Sequence, residues 1–167
     1  MHKITKTFFK EMKVPTPEMA ARDIDSWRTY NMHACVMDPD KIGIPLTRMM
    51  RNRKQESLLA FTLDSSNHIV NVWQVNEGNI DTTPVRPLEG FAPVFKDMAK
   101  AVIFAHNHPS GCSDPSECDW AVTKKMCAAG KILEIPVLDH IVVGKWTFCS
   151  MVRKAPDMFE QTCQKLT

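Results

Sequence analysis

Ala101-Val102-Ile103-Phe104-Ala105-His106-Asn107-His108-Pro109-Ser110-Gly111, followed after a short gap by Pro115-Ser116-Glu117-Cys118-Asp119, is the stretch on which the reading of this chain turns. Its apolar run from Ala101 to Ala105 has no polar alternation, as expected of a central strand covered on both faces. In an extended segment residues i and i+2 project to one side, so His106 and His108 can present two imidazole nitrogens to one point. Ser116 with Asp119 three residues later is close to a capping box and opens a helix expected to run to about Gly130, a natural terminator. A strand end and a helix start can then converge to supply His, His and carboxylate, leaving the fourth position of a zinc site for water. Each piece alone has a plainer reading, as a polar loop edge or a helix cap. Jointly, His-x-His-x7-Ser-x2-Asp arises by chance in roughly one chain of this size in several thousand, and the metal-site reading prevails.

Outward from this stretch, Leu58 to Leu63 reads as a buried strand, Asp64 to Asn67 as a turn and His68 to Val75 as the hairpin partner. Leu88 to Lys100 has helical spacing, with Phe91, Val94, Phe95 and Met98 on one side. Strands are expected near Ile135 to Val143 and Lys145 to Cys149, and a terminal helix from about Pro156, within a C-terminal segment 153–167. That order describes an α/β domain over 55–152 with a mixed sheet flanked by helices. Residues 1–54 read as a helical N-terminal extension, because Thr16-Pro17-Glu18 is a helix start signal followed by helix formers to Tyr30.

The 167 residues suffice for one domain with a real core, and the 44% hydrophobic, 24% charged composition excludes a disordered, collagenous or coiled-coil protein. No apolar run is long enough to cross a bilayer, and the basic start is not followed by a signal-like apolar stretch, so a soluble cytoplasmic protein with no membrane partner is expected. The six cysteines (Cys35, Cys112, Cys118, Cys127, Cys149, Cys163) lack a paired rhythm, which favours free thiols in a reducing compartment. Net charge is only +2, yet residues 1–54 hold eleven basic and six acidic side chains. The densest part, Arg48, Arg51, Arg53 and Lys54, could touch nucleic acid or an acidic partner, although such runs are usually a solvated helix face.

The motif His106-Asn107-His108-Pro109-Ser110-Gly111 with Pro115-Ser116 and Asp119 resembles the JAMM (MPN+) metalloprotease signature in the form carried by bacterial RadC-like proteins. Gln55-Glu56 before an apolar strand, Leu63-Asp64 at a turn, Pro87 and Glu89 before the helix, Thr123, and Ile135 to Gly144 follow the same pattern in order, over about residues 55 to 152. It departs at Leu88, where the family usually has Arg, and at Glu134, where it usually has Gly; residues 1–54 do not resemble the helical module that commonly precedes this domain. The resemblance implies a mixed sheet with flanking helices in a cytidine-deaminase-like layering, zinc (Zn2+) held by His106, His108 and Asp119, and Glu56 as general base.

The implied chemistry is coherent. Zinc acidifies bound water towards neutral pH and polarises a carbonyl oxygen, and a carboxylate must shuttle the proton, the role assigned to Glu56. Ser116 is the candidate to hydrogen-bond the developing oxyanion. Asp139 and His140 are candidate partners of the ligands, or structural polar residues at a sheet edge. A zinc nucleobase deaminase would need His-x-Glu and Pro-Cys-x-x-Cys, which the chain lacks, and Cys112 and Cys118 are only weak ligand candidates. The expectation is a zinc metallohydrolase of peptide or isopeptide bonds with a protein or peptide substrate. The alternative is a DNA-repair-associated or nucleic-acid-binding accessory protein with a structural zinc, contacting phosphate through Arg48, Arg51, Arg53 and Lys54.

Overall fold

The computed structural model describes Val36 and residues 38–78 and 85–160. Its elements are α1 (Asp40–Met50), β1 (Ser57–Leu63), β2 (Ile69–Glu77), α2 (Pro87–Lys96), β3 (Ala101–Asn107), α3 (Glu117–Leu133), β4 (Val137–Val143), β5 (Phe148–Ser150), α4 (Met151–Lys154) and α5 (Pro156–Glu160). The strands form one mixed sheet in the order β2-β1-β3-β4-β5. β1 is antiparallel to both β2 and β3, β3 is parallel to β4 through the α3 crossover, and β5 returns antiparallel to β4. Short turns join β1 to β2 and β4 to β5, whereas the parallel β3–β4 pair needs the long helical connection that α3 supplies. This is the expected α/β class, with helices on both faces of the sheet.

Every residue of β1 and β3 is buried, the signature of strands covered on two sides. Alternate residues face opposite cores. Leu59, Phe61, Leu63, Ile103, Ala105, Ile141 and Val143 pack with Ile42, Leu46, Met49 and Met50 of α1. Leu58, Ala60, Val102, Phe104 and Val142 pack with Phe91 and Val94 of α2, Val122 and Met126 of α3 and Phe159 of α5. The Phe91 and Phe104 rings meet edge to face with centroids 6.0 Å apart, an arrangement that adds about 0.5–1.5 kcal/mol to area burial.

The core therefore extends N-terminal to residue 55, because α1 closes one face of the sheet. The helix expected over 16–30 lies outside the described residues, as does 161–167 of the terminal segment; the helix expected from about Pro156 is α5, and the short α4 before it was not expected. The N-terminal basic run begins at the end of α1, where Arg48 and Arg51 are exposed. α3 continues beyond Gly130 and ends with Glu134 in the left-handed region at φ 57°. Gly130 is instead a point of close approach: a Cβ there would meet the Ile135 carbonyl oxygen at 2.5 Å, where the chain doubles back towards β4. Cys112, Cys118, Cys127 and Cys149 are free thiols. No helix among the described residues is long and apolar enough to cross a membrane.

Candidate metal centre

The strand and helix that flank the site present its side chains by simple periodicity. His106 follows Val102 and Phe104 on the α3-facing side of β3, and His108 continues that side just beyond the strand end. Ser116 is the N-cap of α3: its hydroxyl accepts the Asp119 N–H at 3.2 Å, while Asp119 Oδ2 accepts the Ser116 N–H at 2.6 Å. This reciprocal box bends the Asp119 carboxylate back over the helix start, towards the end of β3. The fourth member comes from far away in sequence. In the antiparallel β1–β3 register Leu58 pairs with His106, so two residues earlier Glu56 lies level with His108.

Glu56, His106, His108 and Asp119 each offer a ligand atom, and these atoms all lie within 4.8 Å of one another. Asp119 Oδ1 is 3.0 Å from His106 Nε2, and Oδ2 is 3.2 Å from His108 Nε2. The two Nε2 atoms are 3.0 Å apart, and Glu56 Oε1 is 3.8 Å from His106 Nε2. His106 and Asp119 are buried. Glu56 and His108 line an open cleft of about 710 Å³ together with Lys54, Ser110, Cys112 and Ser116.

Hydrogen bonds behind the site fix which nitrogens carry protons. Thr123 Oγ1 donates to the Asp119 main-chain oxygen at 2.6 Å, and that same hydroxyl lies 2.6 Å from His140 Nδ1. With its proton committed to a carbonyl, Thr123 accepts from His140 Nδ1–H, so His140 Nε2 is an acceptor and takes the proton of His106 Nδ1 at 2.8 Å. Burial holds the His140 ionisation far below the ordinary value, reinforced by the neighbouring His106. On the other side, His108 Nδ1 donates to the Cys112 main-chain oxygen at 3.0 Å. With both rings neutral, each Nε2 holds a lone pair that faces the Asp119 carboxylate, and protonation of a ring turns that lone pair into an N–H donor to Asp119. A buried set made only of acceptors is favourable only around a cation or a trapped proton, and two imidazoles with carboxylates are the donors a divalent zinc-like ion takes.

Burial would raise the Asp119 ionisation, but the hydrogen bonds from His106, His108 and Ser116 outweigh it and hold the carboxyl well below the usual range. The hydrogen bond and charge of Asp119 raise His108 above 6.5 against the opposing effect of burial. Both directions favour the charged His108–Asp119 pair in the metal-free chain, so a metal bound at His108 takes the place of that proton.

The structure brings together all five residues singled out by sequence, with Ser116 beside Asp119 rather than among the ligand atoms: its hydroxyl donates to Asp119 Oδ2 at 2.7 Å. His140 and Asp139 part company. His140 backs His106, whereas Asp139 faces the other way, accepting from Ser150 Oγ at 2.7 Å and the Val152 N–H at 3.0 Å to hold the turn into α4. Neither Cys112 Sγ nor Cys118 belongs to the ligand group. Sequence reasoning missed Asn107. Its buried side chain accepts the Ser57 N–H at 3.0 Å and donates to the Gln55 carbonyl at 3.1 Å, clamping the backbone on both sides of Glu56. A polar residue inside an otherwise apolar buried strand was the available signal.

The sequence model of the RadC-like JAB domain matches residues 36–156. A UPF0758 protein of Trichlorobacter lovleyi is 44% identical over 103 residues, 62% of this chain and 45% of that protein. One from Geobacter sulfurreducens is 38% identical over 135 residues, 81% of this chain and 58% of its own length. One from Methanosarcina barkeri is 36% identical over 116 residues, covering 70% and 51%. The chain thus spans about half the length of the curated relatives it matches.

Proposed function

This chain belongs to the RadC-like JAB domain family, and from that premise we propose that it is a zinc-dependent hydrolase that cleaves a peptide or isopeptide bond. The observation that carries the reading is the convergence of Glu56, His106, His108 and Asp119, two of which, Glu56 and His108, line an open cleft. JAB and MPN domains include metalloisopeptidases, and these donors fit the same chemistry.

His106, His108 and Asp119 would hold the ion. When bound, zinc supplies Lewis acidity, bringing the ionisation of water to about pH 7 and polarising a carbonyl oxygen. The remaining work falls to side chains. Glu56 accepts the proton of the attacking water and returns it to the leaving amine, so that hydroxide adds to the carbonyl carbon while the C–N bond breaks and the amine departs neutral. Asn107 holds the backbone of Glu56 at the height of His108 for that transfer. Ser116, whose hydroxyl donates to Asp119 Oδ2 in this structure, would turn that hydroxyl to the developing oxyanion. The partially buried site, with Glu56 beside His106, lowers the dielectric and strengthens each of these interactions.

The test is metal content followed by cleavage. Purified chain reconstituted with zinc is expected to hold about one ion per chain in an open, three-protein-ligand site, and to cleave members of a peptide library in a chelator-sensitive way. A chain that takes up no zinc, or that holds it in a closed site completed by cysteine, overturns the proposal.

A further inference from the structure

A second depression of about 410 Å³ lies beside the cleft, between the end of α1 and the turn joining β4 to β5. Ile44, Arg48, Arg51, Lys145, Trp146 and Phe148 line it, with Thr47 and Thr147. The tertiary structure assembles it from two distant stretches: the basic run read from the sequence supplies one wall, and the Lys145-Trp146 turn the other. Trp146 is 75% exposed, unusual for a side chain that normally hides most of its surface. The Arg51 guanidinium carbon is 5.8 Å and the Lys145 ammonium 5.6 Å from its ring centroid.

Two features make this groove more than a solvated face. First, its cations have no acidic partner among the described residues. Arg153 and Lys154 on α4 pair with Asp38, Asp40 and Asp114, whereas Arg48, Arg51 and Lys145 form no ion pair among the described residues, and the groove lining contains no acidic side chain. Second, it adjoins the cleft along two walls. The Lys145 N–H donates to the Gly111 carbonyl at 2.9 Å, and Gly111 lies between Ser110 and Cys112, which line the cleft. Gly111 has φ 86°, and a Cβ there would press to 3.2 Å from Lys145 Cβ, so the contact depends on glycine. On the other wall Lys54 of the cleft comes three residues after Arg51 of the groove.

We infer that this groove is the substrate-selecting extension of the cleft and takes an acidic polypeptide segment carrying an apolar or aromatic residue. The inference rests on the hydrolase reading and names its substrate class. Carboxylates would meet Arg48, Arg51 and Lys145 while an apolar side chain lies on Trp146, and the chain then runs past Gly111 to the ligand cluster. The charge pattern favours a peptide over a nucleic acid: a peptide changes from acidic to neutral along its length, whereas a phosphodiester chain would carry charge up to Glu56 and Asp119.

The test measures binding of a fluorescein-labelled glutamate-rich peptide containing one phenylalanine, its counterpart with glutamine at each glutamate, and single-stranded oligothymidylate. The 167-residue chain is expected to bind the glutamate peptide, with affinity falling as salt rises, and to bind the other two more weakly. Combined Arg48→Glu and Arg51→Glu should weaken it by roughly tenfold or more, and Trp146→Ala should weaken it as well; all three positions are exposed, so circular dichroism should show an intact fold. Equal binding of the glutamine peptide, tighter binding of oligothymidylate, or indifference to the charge reversal overturns the inference. So does failure of the chain to bind the peptide at all, as when another part of the chain or a second copy fills the groove. Because the readout is binding, a chain that bound the acidic peptide but took up no zinc would leave the groove's preference for acidic peptides standing, and would remove the hydrolase reading together with the groove's role in selecting its substrate.

Discussion

His106 Nδ1 lies 2.8 Å from His140 Nε2, and His140 is in turn anchored through Thr123 to the main chain of Asp119. One candidate ligand is therefore oriented by a ring that hangs from the backbone of another, so His106 and Asp119 are set as a unit. Such outer partners typically contribute 10–100-fold to metal affinity.

Replacing His140 by phenylalanine leaves the His106 Nδ1–H without its acceptor inside the core. Zinc affinity, measured by competition with a chromophoric chelator, is expected to fall by about 10–100-fold with the ligands themselves untouched. His140→Gln can still accept from His106 and should retain more affinity than the phenylalanine variant. Equal affinities for all three proteins would show that His140 only fills space.

Glu56 and His108 should fail in different ways. Glu56→Gln keeps the shape and removes proton acceptance, so zinc content is expected to persist while hydrolysis drops by roughly 10²–10⁴-fold. His108→Ala removes a ligand, so zinc and activity should both collapse, along with the stability that zinc confers on the folded state. Loss of zinc in Glu56→Gln as complete as in His108→Ala would make Glu56 a ligand.

Asn107→Leu keeps approximate size while stranding the Ser57 N–H and the Gln55 carbonyl, both partners of a buried amide. Urea unfolding is expected to show a loss of about 1–3 kcal/mol, and the displaced Glu56 should lower turnover with zinc still bound. Unchanged stability would mean that water replaces both bonds.

The pH dependence should reverse sign when zinc is added. In the metal-free chain the pairing with Asp119 raises His108 above 6.5, so the folded state holds this proton more tightly than the unfolded one. The resulting stability is fully present below about 6.5 and is lost as pH rises through the raised value. With zinc the ion takes the proton's place, so binding, and the stability it confers, should grow as pH rises through the same window. Unfolding midpoints measured across that window with chelator and with zinc should therefore slope in opposite directions; parallel slopes would show that His108 does not bind the ion.

What the sequence determined alone was local. The unbroken apolar run before His106 required a doubly covered strand, the i and i+2 spacing put two imidazoles on one side, and Ser116 with Asp119 announced a capped helix start; each depends on backbone geometry over a few residues. Glu56 was legible only through the family resemblance, because fifty residues separate it from His106 and only the β1–β3 register, with Leu58 opposite His106, sets it beside His108. The same limit explains Gly130, read as a terminator though the helix runs on: its need for a bare Cα arises from the Ile135 carbonyl packed against it, which no local pattern reveals. Tertiary structure also separated Asp139 from His140, adjacent in sequence but on opposite faces of β4, and brought Trp146 to the end of α1. Spacing along a strand or helix fixes direction, whereas proximity between elements is decided by register and packing, whose energies are summed over the whole fold.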